Sequence, residues 1–168
     1  RLYTKTFDRQ IRQAQLEAIE RARRYVFLEN AYLYSNDLIV ALVRARLRGV
    51  DVRVILPGEN NFGPGQASNI TVANYLRRHG VRVYFYPGMS HVKALLVDGW
   101  VCFGSANFDA LSLRLNREGN LATSDAGFAA LRARRLSVPS PLCGSAPVSA
   151  TVGPRKDRSN AAAAESPS

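Results

Sequence analysis

The chain has 168 residues, which suits one domain, and its 46% hydrophobic and 21% charged residues are the balance of a folded globular protein. That balance excludes a wholly disordered chain, a collagen-like repeat and a disulfide scaffold, and no apolar run reaches the roughly 18 residues a bilayer span needs. The formal charge is +10, with 20 basic against 11 acidic side chains in residues 1–136, a surplus that favours anionic partners: nucleic acid, lipid headgroups or phosphate esters.

Residues 9–24 predict an amphipathic helix, with Ile11, Gln15, Ala18, Ile19 and Ala22 at helical spacing and Asp8 as its cap. Tyr25-Val26-Phe27-Leu28 is a strand by its β-branched and aromatic content. Asn36 and Asp37 start a second helix over 37–48, ended by Gly49. Val50 to Leu56 is a strand stopped by Pro57-Gly58, and the Gly-rich residues 58–66 read as a loop. Ser68 caps a third helix running to about His79, and Val81 to Tyr86 is the next strand. His79 reads as a residue of that helix's C-terminus. The alternation of helix and strand predicts a parallel sheet covered by helices.

Two strands then follow in close succession. Val92–Val97 and Trp100–Gly104 flank Asp98-Gly99, a strong two-residue hairpin signal. Asn107 to Leu115 reads as a turn and short helix, Gly119 to Thr123 as a last strand, and Asp125 as the cap of a final helix over 126–136. From Ser137 the composition turns to Ser, Pro, Ala and Gly, which cannot bury enough apolar surface to fold. The expectation is an α/β domain over residues 1–136, with a mixed, mainly parallel sheet sandwiched by helices, and a disordered low-complexity tail over 137–168. Cys102 in an apolar run and Cys143 in the tail make no disulfide framework. Residue 1 is Arg and no charged-then-apolar leader follows, so the chain reads as a piece of a longer protein.

The chemistry-bearing stretch is His91-Val92-Lys93-Ala94-Leu95-Leu96-Val97-Asp98, followed by Gly104-Ser105-Ala106-Asn107. Only three residues of the chain are Lys, so Lys93 stands out in an apolar strand. Side chains alternate along a strand, which puts His91 and Lys93 on one face and turns Val92, Ala94 and Leu96 the other way, into a core. Ser105 and Asn107 are in phase at the end of the returning strand. An imidazole can act as nucleophile or general acid–base at neutral pH, an ammonium can hold a phosphate oxygen, and a hydroxyl and an amide can donate to the others. Together they suit phosphoryl chemistry without a metal, since two histidines and no spaced acids make no metal cage. A histidine base needs a carboxylate to orient it, and Glu118, entering the last strand, is the candidate. Asp98 reads first as the turn residue of the hairpin. Tyr32, Tyr34, Phe62 and Tyr86 fall near strand ends and read mainly as core, with a substrate entrance as the alternative.

His91-x-Lys93-x4-Asp98 with Gly104-Ser105-x-Asn107 resembles the HKD signature of the phospholipase D superfamily. The likeness spans roughly residues 10–131. It includes Asn30-Ala31-Tyr32, Arg48-Gly49-Val50-Asp51-Val52-Arg53-Val54, Asn107-Phe108-Asp109 and Asn116-x-Glu118, in the manner of the C-terminal half of bacterial cardiolipin synthase-like proteins. The stretch between the motif Asp and Gly-Ser is five residues rather than six, a hairpin one residue shorter. The resemblance implies a phosphodiesterase or phosphatidyl transferase working through a phosphohistidine. His91, Lys93, Asp98 and Glu118 would be catalytic, His91 as nucleophile or acid with Glu118 as its orienter. Lys93, Ser105 and Asn107 would hold the phosphate, without a cofactor. It also implies two such motifs per site, the second coming from an N-terminal half or a homodimer partner. The expected substrate is a phospholipid met in the cytoplasm or peripherally at the cytoplasmic membrane. The alternatives are a homodimeric nuclease acting on nucleic acid and a non-catalytic half-domain.

Overall fold

The computed structural model describes residues 2–4, 9–59, 63–107 and 119–130. In chain order the elements are β1 (Leu2–Thr4), α1 (Arg9–Arg21), β2 (Tyr25–Asn30), α2 (Asn36–Leu47), β3 (Asp51–Pro57), α3 (Gly63–Arg78), β4 (Arg82–Tyr86), β5 (Lys93–Val97), β6 (Trp100–Gly104) and β7 (Gly119–Thr123). The strands form one mixed sheet in the order β1-β7-β6-β5-β2-β3-β4. β2, β3 and β4 are parallel, joined by the crossover helices α2 and α3, as the alternating pattern demands. The remaining pairings, β2 with β5, β5 with β6, β6 with β7 and β7 with β1, are antiparallel. The mixed α/β sheet is therefore as expected, but its parallel part is confined to one side. Helix-strand alternation predicts parallel strands only while the helices last, and it stops at β4.

The helices pack on one face of the sheet. Ile19 of α1, Ala22 just after it, Leu38 and Leu42 of α2, and Ala73 and Leu76 of α3 meet Val26, Leu28, Val52, Val54, Val83, Leu95 and Val97 in the main core. Each fully buried Leu or Val there contributes about 1.5–3 kcal/mol. The opposite face carries a smaller cluster of Phe27, Leu96, Val101 and Ala129, the last from a helical stretch over residues 126–130. Asp125 caps that stretch, its carboxylate accepting the Phe128 N–H at 2.7 Å.

Three local differences from the expectations have physical causes. α3 starts at Gly63, inside the segment read as a loop. A proline in a first turn forfeits no helical hydrogen bond, and the Tyr34 hydroxyl and the Gln66 amide, bonding Gly65 O and Gly58 O at 2.8 Å each, hold that turn in place. Strand β1 had no sequence signal. It is three residues long and forms by pairing with β7. Both faces of β5 are buried, not only the Ala94-Leu96 face: Leu95 and Val97 enter the main core and Leu96 the smaller one, while Val92, expected to turn into a core, precedes the strand and is half-buried. Asp8 and residues 107–115 as a helix fall wholly or mainly outside the described residues, as do the helix beyond 130 and the 137–168 tail.

Candidate active site

The site lies along one rim of the sheet, where the parallel strands β2, β3 and β4 end, β5 begins and β6 ends. Ligands of open α/β sheets bind beyond the carboxyl ends of the strands. Three connections are tied down there. Asn69 of α3, fully buried, accepts the Leu33 N–H and donates to the Ala31 carbonyl at 2.9 Å, fixing the segment after β2. The Gly58 N–H bonds Tyr86 O at 2.7 Å, and a Cβ on Gly58 would lie 2.7 Å from that same oxygen, so the exits of β3 and β4 meet through a glycine. Glu29, buried at the end of β2, accepts the Ser90 hydroxyl at 2.9 Å and so anchors the residue before His91.

Lys93 opens β5 opposite Asn30 of β2, and it is only 6% exposed. Burial of an ammonium is tolerated only with partners. Its Nζ donates to the His91 carbonyl at 2.9 Å and stands 3.1 Å from His91 Nδ1. An ammonium has only donors, so this contact assigns the acceptor lone pair of a neutral imidazole to Nδ1 and the ring proton to Nε2. His91 itself is exposed. Two residues read as partners by their spacing are thus in direct contact, one buried and one open to solvent.

The antiparallel register of β5 and β6 runs without a bulge from Val97↔Trp100 to Ala94↔Phe103, and one further step sets Gly104 across from Lys93. The shortened hairpin is absorbed in the Asp98-Gly99 turn, where both residues have positive φ (47° and 97°), as a type I′ turn requires. Beyond Gly104 the chain turns through Ser105, Ala106 and Asn107. The Ser105 N–H bonds Gly119 O, and the Gly119 N–H bonds Ser105 Oγ, each at 3.1 Å. Ser105 is exposed and Asn107 half-buried. The topology thus gathers His91, Lys93, Ser105 and Asn107 at one rim. Glu118 lies outside the described residues.

Asp98, expected with the catalytic residues, stands at the opposite end of the hairpin from that rim. It stands five residues along the strand from Lys93, about 17 Å away at the rise of a β-strand. Its carboxylate accepts the backbone N–H groups of Arg23 at 2.7 Å, Arg24 at 3.0 Å and Tyr25 at 2.8 Å. Partial burial pulls its pKa upward, but these three bonds and the Arg24 charge outweigh that and hold the carboxyl below its usual range. An open cleft lined by Glu17, Arg21, Asp98 and Trp100 lies at this same far end, away from His91.

The aromatic residues are placed differently from a core reading. Tyr32 and Tyr34 are half-buried with ring centroids 5.9 Å apart, and Tyr86 is 41% exposed, so they border the rim; Phe62 lies outside the described residues. His79 is the helix-end residue expected, its Nδ1 2.8 Å from Tyr75 O. Two supporting residues escaped the sequence reading: Asn69, and Asn120 at the start of β7. What marks both in the structure is burial of an amide, Asn69 at 0% and Asn120 at 2% exposure, which the mixed composition of α3 and β7 does not signal. Among the described residues no helix is long and apolar enough to cross a membrane.

A helix-backed mixed sheet with a His-x-Lys strand entry beside a Gly-Ser-x-Asn turn is the architecture of a phospholipase D-like domain. The chain belongs to the family described as "Cardiolipin synthase, PLD-like domain", whose model matches residues 16–137. It is 44% identical over 117 residues to cardiolipin synthase A of Pseudomonas putida strain F1, covering 68% of this chain and 24% of that protein. It is 41% identical over 124 residues to cardiolipin synthase A of Cronobacter sakazakii, covering 71% of this chain and 25% of that protein. The chain thus spans about a quarter of the length of these relatives. Among solved structures it resembles Nuc of Salmonella typhimurium, a phospholipase D family member, with a TM-score of 0.71 at 23% identity over 82% of this chain and 90% of that one. NucT from Helicobacter pylori has the same TM-score at 21% identity, over 82% of this chain and 92% of that one.

Proposed function

We propose that the protein is a phosphodiesterase or phosphatidyl transferase that acts on phospholipids through a histidine–phosphate intermediate. The observation that carries this reading is the His91–Lys93 contact at the rim of β5, beside the Ser105–Asn107 turn, in a chain 44% identical to a cardiolipin synthase A. In the proposed reaction a ring nitrogen of one histidine attacks phosphorus. An N–P bond forms as the P–O bond to the leaving alcohol breaks, and a second histidine gives its proton to the departing oxygen. Water or another alcohol then attacks phosphorus, the N–P bond breaks, and the second histidine takes up the proton of the attacking hydroxyl. Lys93 supplies positive charge to the phosphoryl oxygens, and Ser105 and Asn107 supply neutral donors. Ser105 Oγ accepts from Gly119, which leaves its own proton to donate. The proton on His91 Nε2 suits the donor role in the resting state, and Glu118 is proposed to steady the ring. The second histidine comes from another HKD motif, in the same longer protein or in a second copy.

The test uses the full-length protein with vesicles of phosphatidylglycerol. The expected products are cardiolipin and glycerol, and acid-labile, alkali-stable label on histidine after a quenched single turnover with phosphorus-labelled lipid. Untouched lipid alongside cleaved DNA would overturn the lipid assignment. The nuclease reading is favoured by one observation, the surplus of nine positive charges over residues 1–136, 20 basic minus 11 acidic. It predicts DNA affinity that falls steeply with salt.

A further inference from the structure

The Ser105–Asn107 turn is held by a residue with no place in the proposed chemistry. Asn120, the second residue of β7, lies opposite Gly104 and is only 2% exposed. Its Oδ1 accepts the Ala106 N–H at 3.2 Å, and its Nδ2 points at Cys102 Sγ at 3.5 Å. Ala106 lies between the two proposed phosphate donors, so the amide holds the middle of the turn from beneath. Gly104 makes room for it. A Cβ there would lie 2.3 Å from Asn120 Oδ1, 2.7 Å from its Cα and 2.2 Å from Gly119 O. The glycine of Gly-Ser-x-Asn is therefore required by the approach of Asn120 and its neighbour, not by its own φ, which is not in the left-handed region.

We infer that Asn120 is a positioning residue: through the Ala106 N–H it sets the turn so that Ser105 and Asn107 face one phosphate together. The physical case is that a backbone N–H buried without an acceptor is costly, so the turn and the amide hold each other in one arrangement. Ala106 is itself buried, 1% exposed against Ile11 of α1, which closes the site of this bond to water. A flexible turn would have to order its two donors each time a phosphate bound, and a pre-set turn does not. This inference rests on the phosphodiester reading for its consequence but not for its geometry.

The experiment takes Asn120→Ala and Asn120→Asp in the full-length protein. Asp keeps an oxygen acceptor for Ala106. Hydrogen exchange of peptides covering 104–107 is measured with thermal unfolding, kcat, KM, and inhibition by inorganic phosphate. The expectation is exchange about tenfold faster at the turn in Asn120→Ala, with exchange elsewhere unchanged. Its phosphate inhibition constant rises and its kcat/KM falls, each about 10-fold, as the loss of one buried hydrogen bond implies. Asn120→Asp restores phosphate binding in good part. Unchanged turn exchange in Asn120→Ala overturns the inference, as does faster exchange with unchanged phosphate inhibition and kcat/KM. Should Asn120→Ala fail to fold, Asn120→Asp decides alone: wild-type-like exchange and phosphate inhibition support the inference, and the loss of both overturns it. A wild-type protein that neither binds phosphate nor cleaves phosphodiesters sinks the proposed function instead, and faster exchange in Asn120→Ala would still support the hold on the turn.

Discussion

At one end of the β5–β6 hairpin, the Asp98 carboxylate receives three backbone N–H groups and joins the hairpin to the start of β2. At the other end, Lys93 is buried against an exposed His91, and the strand partner leaves the sheet through Ser105 and Asn107. All these residues belong to one short sequence signature, yet they divide by position along the strand. Polar groups at the turn end are spent on the backbone. At the rim the His91 imidazole and the Ser105 side chain are exposed to solvent where the strands end. A signature can therefore join the parts that do chemistry to the part that holds the strand carrying them.

The contrast is broken most strongly at His91. His91→Asn in the full-length protein should lower phosphodiesterase or transferase turnover by about 10²–10⁴-fold or more, with a melting temperature near wild type because the side chain is exposed. A steady-state assay beside a thermal melt checks this, and retained turnover would remove His91 from the chemistry. Gly104→Ala follows, and should lower stability and disturb the rim together. Its Cβ meets backbone at 2.2 Å and Asn120 at 2.3 Å, so it should cost about 1–3 kcal/mol or more in a denaturant titration and distort the turn proposed to bind phosphate as well.

Asp98→Ala should do the opposite of His91→Asn. It should lower stability by about 1–2 kcal/mol, a figure kept small because solvent reaches the carboxylate, while kcat of the folded fraction stays within about twofold of wild type. The sign of its pH dependence follows from the depressed pKa. The carboxylate's contribution is complete above the ordinary value of 3.8 and disappears as the pH falls below it through the lower folded value. Wild type and Asp98→Ala should therefore converge in stability in strong acid, as a melt series from pH 6 down to pH 2 would reveal. A loss no larger than that of Asp98→Ala is expected at Gly99, where φ is +97°; Gly99→Ala should cost about 1–2 kcal/mol in strain and leave phosphate inhibition unchanged. Any loss of phosphate affinity there would blur the division between the hairpin's two ends.

Much of this was legible in the residues themselves. The order of the described strands and helices from Tyr25 to Gly104 followed from period and turn chemistry, and the Asp98-Gly99 hairpin from a dipeptide that takes two positive φ angles cheaply. The nearness of His91 to Lys93 followed from their two-residue spacing, although His91 precedes β5 rather than lying on it. Both are local properties: a dihedral preference and a two-residue repeat act within a few residues, so neighbours in sequence suffice to express them.

The tertiary structure decided what depends on groups distant in sequence. It placed β5 antiparallel beside β2, so that Leu95 and Val97 share the main core on the face that bears Lys93. It gave Asp98 its backbone partners 73 to 75 residues earlier. It turned Asn120 beneath Ala106, against a glycine whose need for a bare α-carbon cannot be seen until β7 is beside it. Hydrogen-bond partners and close approaches are set by which strands lie side by side, and strand order is a property of the whole packed sheet rather than of any segment within it.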